Sequence, residues 1–151
     1  MKQVEPQTNI REAERKDLNT IKSLLDSVSL PSIDIESHIS NFLILEAEGI
    51  MMGTIGLEIY DKTALLRSLA VKREFQGKGY GQILCRELLS RAGEFDIENI
   101  FLLTETAKDF FTREGFQVIE REAVPDEIKR TNEYSTLCPS DSTCMFKRLQ
   151  I

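Results

Sequence analysis

The sequence predicts one α/β (α+β) domain built on a mixed sheet covered by helices. Three observations predict it. The length is that of one ordinary domain: 151 residues, 17.3 kDa, enough to bury about 70% of the surface an unfolded chain exposes. The apolar periodicities run helix, then three strands in a meander, then helix, strand, helix and closing strands. No repeat, low-complexity tract or Pro/Gly/Ser-rich linker divides the chain, so 1–151 is read as a single domain.

Asn9 to Ala13 reads as a short first strand. Lys16 to Leu30 then carries Leu18, Ile21, Leu24, Leu25 and Val28 at helical spacing until Pro31 stops it. A second short helix is expected over Ile33 to Asn41, with Asp34 and Glu36 in its first turn, where the helix dipole favours carboxylates. Phe42 to Ala47, a turn at Glu48-Gly49, and Ile50 to Tyr60 read as a β-hairpin; Thr63 to Lys72 follows as a mostly apolar strand. After Gly79, Tyr80, Ile83, Leu84, Leu88, Ala92 and Phe95 recur at three and four, giving a helix of about four turns. A strand (Ile100 to Thr104), a short helix (Ala107 to Glu114) stopped by Gly115 and a strand (Phe116 to Glu122) come next. The tail is expected to form a helix over Asp126 to Tyr134 and a last strand near Thr143 to Lys147.

With 41% hydrophobic and 29% charged residues, the composition is that of a soluble globular protein, and no apolar run approaches the roughly 20 residues that span a bilayer. The start, Met1-Lys2-Gln3-Val4-Glu5-Pro6, has no apolar stretch after its Lys, so neither export signal nor transit peptide is expected and a cytoplasmic location is. A formal net charge of -6 argues against nucleic acid or anionic lipid as partners. Cys85, Cys138 and Cys144 are an odd number, expected as reduced thiols.

Gly77, Gly79 and Gly81 alternate between a strand and the first turn of a helix, where backbone without side chains lets an anion approach. The free amides of that turn, with the helix dipole, suit a diphosphate, and Lys78 adds charge at the rim. The spacing fits neither the P-loop nor the Gly-x-Gly-x-x-Gly dinucleotide pattern.

The strand Leu66-Arg67-Ser68-Leu69-Ala70-Val71 followed by Gln76-Gly77-Lys78-Gly79-Tyr80-Gly81 resembles the acetyl-CoA motif of the GNAT N-acetyltransferases. The pattern there is Arg or Gln, two residues, Gly, one residue, Gly or Ala, filled here by Gln76, Gly79 and Gly81. The resemblance implies the GNAT fold, a central mixed, mostly antiparallel twisted sheet of about six to seven strands with helices on both faces. It implies acetyl-CoA as cosubstrate, its diphosphate held by amides of Gln76, Gly77, Lys78, Gly79, Tyr80 and Gly81. Backbone of Leu69, Ala70 and Val71 would align the pantetheine arm and polarise the thioester. Ala107 to Phe116 resembles the region beside the coenzyme thiol, and there Phe111 occupies the position of a Tyr that protonates the leaving thiolate in many members. A narrower resemblance, to the type-two N-acetyltransferases encoded beside arsenic-resistance genes, rests on Gly56 to Tyr60, Ala64 to Val71, Phe101 to Thr104, Asp109-Phe110-Phe111 and Leu137-Cys138-Pro139.

Direct attack of an amine on the thioester needs a group to take the amine's proton. Glu58 and Glu105, carboxylates near strand ends, are the candidates; the alternative for each is a solvated surface charge. Arg67, on a buried strand, either reaches an acidic partner or faces the cleft as a fork for a carboxylate, phosphinate or arsenical oxyanion, with Tyr60 and Thr104 as further acceptor contacts. Tyr134 could replace the missing acid if the tail folds over the cleft. Cys138 and Cys144 could converge on trivalent arsenic or be two half-buried residues, and no four-ligand zinc site is expected. His38 is expected to be exposed. The expected acceptor is a small-molecule amine, an amino acid or an arsenic- or phosphinate-containing analogue, with a homodimer left open. The alternatives are a non-catalytic coenzyme-A-binding regulator or arsenic sensor, and a protein N-acetyltransferase.

Overall fold

The computed structural model describes residues 7–137 and 141–149. Seven strands form one sheet in the order β1-β2-β3-β4-β5-β7-β6: β1 (Thr8–Glu12), β2 (Phe42–Ala47), β3 (Ile50–Tyr60), β4 (Thr63–Val71), β5 (Asn99–Thr104), β6 (Gln117–Ile119) and β7 (Thr143–Arg148). Every pairing is antiparallel except β4 with β5. The meander therefore has four strands, because the first short strand pairs with β2. The helices are α1 (Leu18–Ser27), α2 (Tyr80–Glu94), α3 (Lys108–Arg113) and α4 (Asp126–Lys129). Among the described residues no helix is long and apolar enough to cross a membrane.

The sheet is covered on both faces. Under α2, the stripe Tyr80, Leu84, Leu88 and Ala92 lies four residues apart and is buried with Leu43, Leu45, Met52, Leu57 and Leu66. Ile83 and Phe95, expected on that inner face, are instead exposed, because each lies off the stripe; Cys85 takes the inner place. On the opposite face α1 buries Ile21, Leu24 and Leu25 against Phe42, Ile44 and Ala70, while Leu65, Phe101, Val124 and Ile128 form a second cluster beneath α4. A Cβ on Gly56 of β3 would lie 2.4 Å from the Phe42 ring, so that aromatic can lie flat only over a residue without a side chain.

Several elements are shorter than their periodicity suggests. The α1 segment stops at Ser27, where Ser29 turns to φ +61°, four residues before Pro31. The segment expected as a helix from Ile33 is a 3-10 helix, Ile35–Asn41, and β6 ends at Ile119 before a 3-10 turn at Arg121–Ala123. The tail helix ends at Lys129, and a π-helical turn, Glu133–Leu137, follows. That turn brings the tail back over the sheet.

Candidate active site

Strands β4 and β5 pair only from Thr63/Asn99 to Leu65/Phe101 and then splay apart, while β5 stays bonded to β7 as far as Thr104/Thr143. The gap is a cavity of about 650 Å³ lined along one side by Leu66 to Val71 and along the other by Leu102 to Ala107. Inside it the β4 edge has no strand beside it, so backbone groups there can bond an extended ligand as a further strand would. The edge is also kinked: the β3/β4 register slips between Thr54 and Gly56, and Ser68 adopts φ +62°. This is a β-bulge, the usual way to re-aim a strand beside a site.

At one end the cavity opens on Gln76, Ala107 and Phe111. Gln76 Nε2 donates to Val71 O at 2.9 Å, tying the loop to the end of β4. Gly77 and Gly79 follow at φ +79° and +86°, conformations that glycine adopts without penalty, and the 15-residue α2 begins at once. Gly79, its N-cap, offers no side-chain cap, and Gly77, Lys78 and Gly79 are exposed, so the first-turn amides point at open space. Tyr80 is buried against Phe75, and Gly81 faces Phe110. Phe111 is buried in a cluster of edge-to-face rings with Phe110 and Phe116 and brings no hydroxyl. Behind it, Glu114 accepts from Gln82 at 3.0 Å and Arg86 at 3.2 Å, locking α3 to α2.

The other end is charged. Arg67 commits four of its five N–H groups: Nη1 and Nη2 to the two oxygens of Asp34 at 2.8 and 2.7 Å, Nη1 to Glu58 at 2.7 Å, and Nε to Ser68 Oγ at 3.0 Å. Its side chain is 0% exposed. Glu133 stands 3.4 Å from Nε. Burial would lower the Arg67 pKa, but the hydrogen bonds from Asp34 and the surrounding carboxylate charge raise it, so Arg67 stays a cation. Burial likewise works against the Asp34 carboxylate, and the Arg67 fork outweighs it, leaving Asp34 below its ordinary value. Glu133 has no such fork: burial, opposed by the Arg67 charge and reinforced by Glu58 and Asp34, pushes it up to about 7.

Of the two directions open to Arg67, the structure shows the acidic partners. It lines the cavity floor with its fork already filled. Glu58 is 1% exposed and sits behind Arg67, with Tyr60 Oη donating to one oxygen and His38 Nε2 3.3 Å from it; it is a counter-ion, with no face on the cavity to take a proton from an amine. Burial and that hydrogen bond raise the Tyr60 phenol, and Tyr60 also lies behind the cavity. His38, expected in solvent, is half-buried against Glu58 because the 3-10 helix lies on β3. Glu105 and Thr104 reach the cavity wall, Glu105 in solvent and Thr104 with its Oγ1 accepting the Ala107 amide at 2.9 Å. Tyr134 turns away: its hydroxyl donates to Arg121 O and its ring stacks under the Arg121 guanidinium, so it does not stand in for the missing acid. Cys144 is buried with its thiol pushed up by desolvation, and Cys138 lies outside the described residues. No sequence pattern marks Asp34, Glu133 or Ser142 as part of the site. The one local signal for the last two is their position flanking Leu137-Cys138-Pro139, and Leu137 itself lines the cavity.

Residues 38–118 match the model of the acetyltransferase (GNAT) domain. An uncharacterized N-acetyltransferase of Chlorobaculum tepidum is 30% identical over 145 residues, covering 91% of each chain. The amino-acid acetyltransferase of Neisseria meningitidis is 28% identical over 81% of this chain and 30% of its own length. N-acetylglutamate synthase of Neisseria gonorrhoeae, solved with coenzyme A and L-arginine, superposes with a TM-score of 0.83 at 26% identity over 97% of this chain and 34% of that one. The chain thus spans about a third of the length of these amino-acid-acetylating relatives. With the splayed strands, the bulge and the glycine loop where that match falls, the chain belongs to the GNAT acetyltransferase family.

Proposed function

We propose that the protein transfers the acetyl group of acetyl-CoA to the amine of a small, amino-acid-like acceptor. The observation that carries this reading is the continuous cavity. One end opens at Gln76, directly before the Gly77–Gly81 turn, the middle has the unpaired β4 edge, and the far end has a buried charged floor. A diphosphate suits the first, an extended amide-bearing arm the second, and a polar amine the third. The gonococcal likeness supports the donor, since that protein is solved with coenzyme A, and the names of the relatives support an amino-acid acceptor. Arg67 does not, because its fork would have to release Asp34 before gripping a substrate carboxylate. Arsenic- or phosphinate-containing amino-acid analogues stay within the proposed class on sequence resemblance alone.

The coenzyme would be held by the backbone of Leu69, Ala70, Val71 and Gln76 to Gly81, with Phe111 against the thiol end. Thiol release from acetyl-CoA with a panel of L-amino acids, alkylamines and peptides tests it. Sustained release with one or a few amino acids is expected. Release with peptides alone would favour a protein acetyltransferase, and coenzyme A binding without release from any amine would favour a regulator.

A further inference from the structure

We propose that Glu133, on the π-helical turn of the tail, takes the proton from the acceptor amine, and that Ser142 supplies a second polar contact to it. This rests on the transferase reading above. Both residues line the acceptor end of the cavity, both are more than nine-tenths buried, and they approach it from either side of Leu137. The Ser142 hydroxyl has no hydrogen-bond partner among the described residues. Burying an unsatisfied hydroxyl costs about 1–3 kcal/mol, so one enclosed in a residue at the cavity wall points to a ligand that completes it on binding.

The groups facing Glu133 explain why it suits the task. Arg67 of β4 lies nearest, but its Nε proton goes to Ser68; Asp34 from the loop after α1 and Glu58 of β3 add like charge, and Glu58 is held in turn by Tyr60 and His38. Burial first, and then these like charges against the opposing Arg67, push the carboxyl up to about 7, where a base is most effective. Glu58, by contrast, has no face on the cavity, and Glu105 is solvated at its rim. In the step proposed, an ammonium gives one proton to the Glu133 carboxylate, the freed lone pair forms the C–N bond, and the C–S bond breaks. The attacking nitrogen's surplus proton goes to the departing thiolate, giving amide and coenzyme A thiol, and Glu133 returns its proton to solvent.

Two measurements on the full chain decide it. Carboxyl-carbon NMR of Glu-labelled protein with coenzyme A bound, compared with Glu133→Gln to assign the signal, should show a midpoint within about one unit of 7. A midpoint near the ordinary 4.5 overturns the proposal whether or not an acceptor has been found. Thiol release from acetyl-CoA with an equimolar L-amino-acid mixture should rise through about pH 7 in the wild type and fall about a hundredfold in Glu133→Gln, whose residual rate follows the amine's own ionisation to higher pH. Glu133→Asp should recover part of the rate, and Ser142→Ala should raise the acceptor KM several-fold without moving the inflection. Equal rates and profiles for wild type and Glu133→Gln overturn the proposal and leave the transferase reading standing. A wild type silent with the mixture counts against the amino-acid acceptor, and the carboxyl titration then decides Glu133 independently.

Discussion

Replacing Arg67 with Met keeps an unbranched apolar stem but removes the guanidinium and its charge, leaving half-buried Asp34 and buried Glu58 and Glu133 without the Arg67 cation. The lost contacts are two bonds to Asp34 and one to Glu58, all at 2.7–2.8 Å, and one to Ser68 at 3.0 Å, made by a side chain with no exposure. Removing one partner from a buried ion pair costs about 3–5 kcal/mol, and here more than one carboxylate is stranded, so a loss near the upper end is expected at pH 8. The sign of the pH dependence follows. In the wild type Asp34 lies below its ordinary 3.8, so its contribution is present above that pH and lost as pH falls through the folded value. Without Arg67 the carboxylates hold protons more tightly folded than unfolded, so the variant loses stability as pH rises. The gap between the two proteins should therefore widen from pH 5 to 8. Urea denaturation followed by far-UV circular dichroism suits a chain with no Trp. Arg67→Lys should rescue little, since an ammonium cannot reproduce the planar fork. A loss below about 1 kcal/mol at pH 8, or a gap that does not change with pH, would refute the buried-counter-ion account.

Glu133 has the opposite signature: with its folded value pushed up to about 7 from 4.5, it lowers wild-type stability as pH rises through that window, and Glu133→Gln should abolish the slope and gain about 1–3 kcal/mol at pH 8 in the same denaturation series. Gly79→Ala places a side chain at φ +86° with nothing within 4 Å of its Cβ, so the fold should lose only about 1–2 kcal/mol while calorimetry shows coenzyme A binding weakened at least tenfold. Gly56→Ala meets the Phe42 ring at 2.4 Å and should cost about 2–3 kcal/mol or more, recovered in part by Phe42→Leu in a double-mutant thermal melt. Burial pushes the Cys85 thiol up to about 12 and raises that of Cys144, so mass spectrometry after native-state alkylation should find both unmodified, and labelling of either would contradict the packing.

Much of the architecture follows from local chemistry that a linear reading can follow. The Phe42–Tyr60 hairpin, the strand Thr63–Val71, the glycine turn and the helix from Tyr80 are each set by a short-range rule: alternation, a left-handed glycine, a four-residue stripe. The donor side draws on one stretch of chain, Leu66–Val71 and Gln76 lining the cavity with the Gly77–Gly81 turn directly after, so its residues announce one another in the linear sequence. Those of the acceptor end do not. Its lining and the charges behind it come from the loop after α1, from β3, from β4 and from the tail turn, with Asp34 33 positions from Arg67 along the chain. Asp34 alone looks like a helix-capping carboxylate, Glu133 like a surface charge, and Glu58 like a base, because the cation they share, Arg67, is nine or more positions away from each. Whether an ionisable side chain serves as counter-ion, proton acceptor or solvated charge depends on desolvation and on the sign of the nearest charges. Those are properties of the folded neighbourhood: closure of the tail over the splayed strands puts the filled Arg67 fork beside an unforked Glu133.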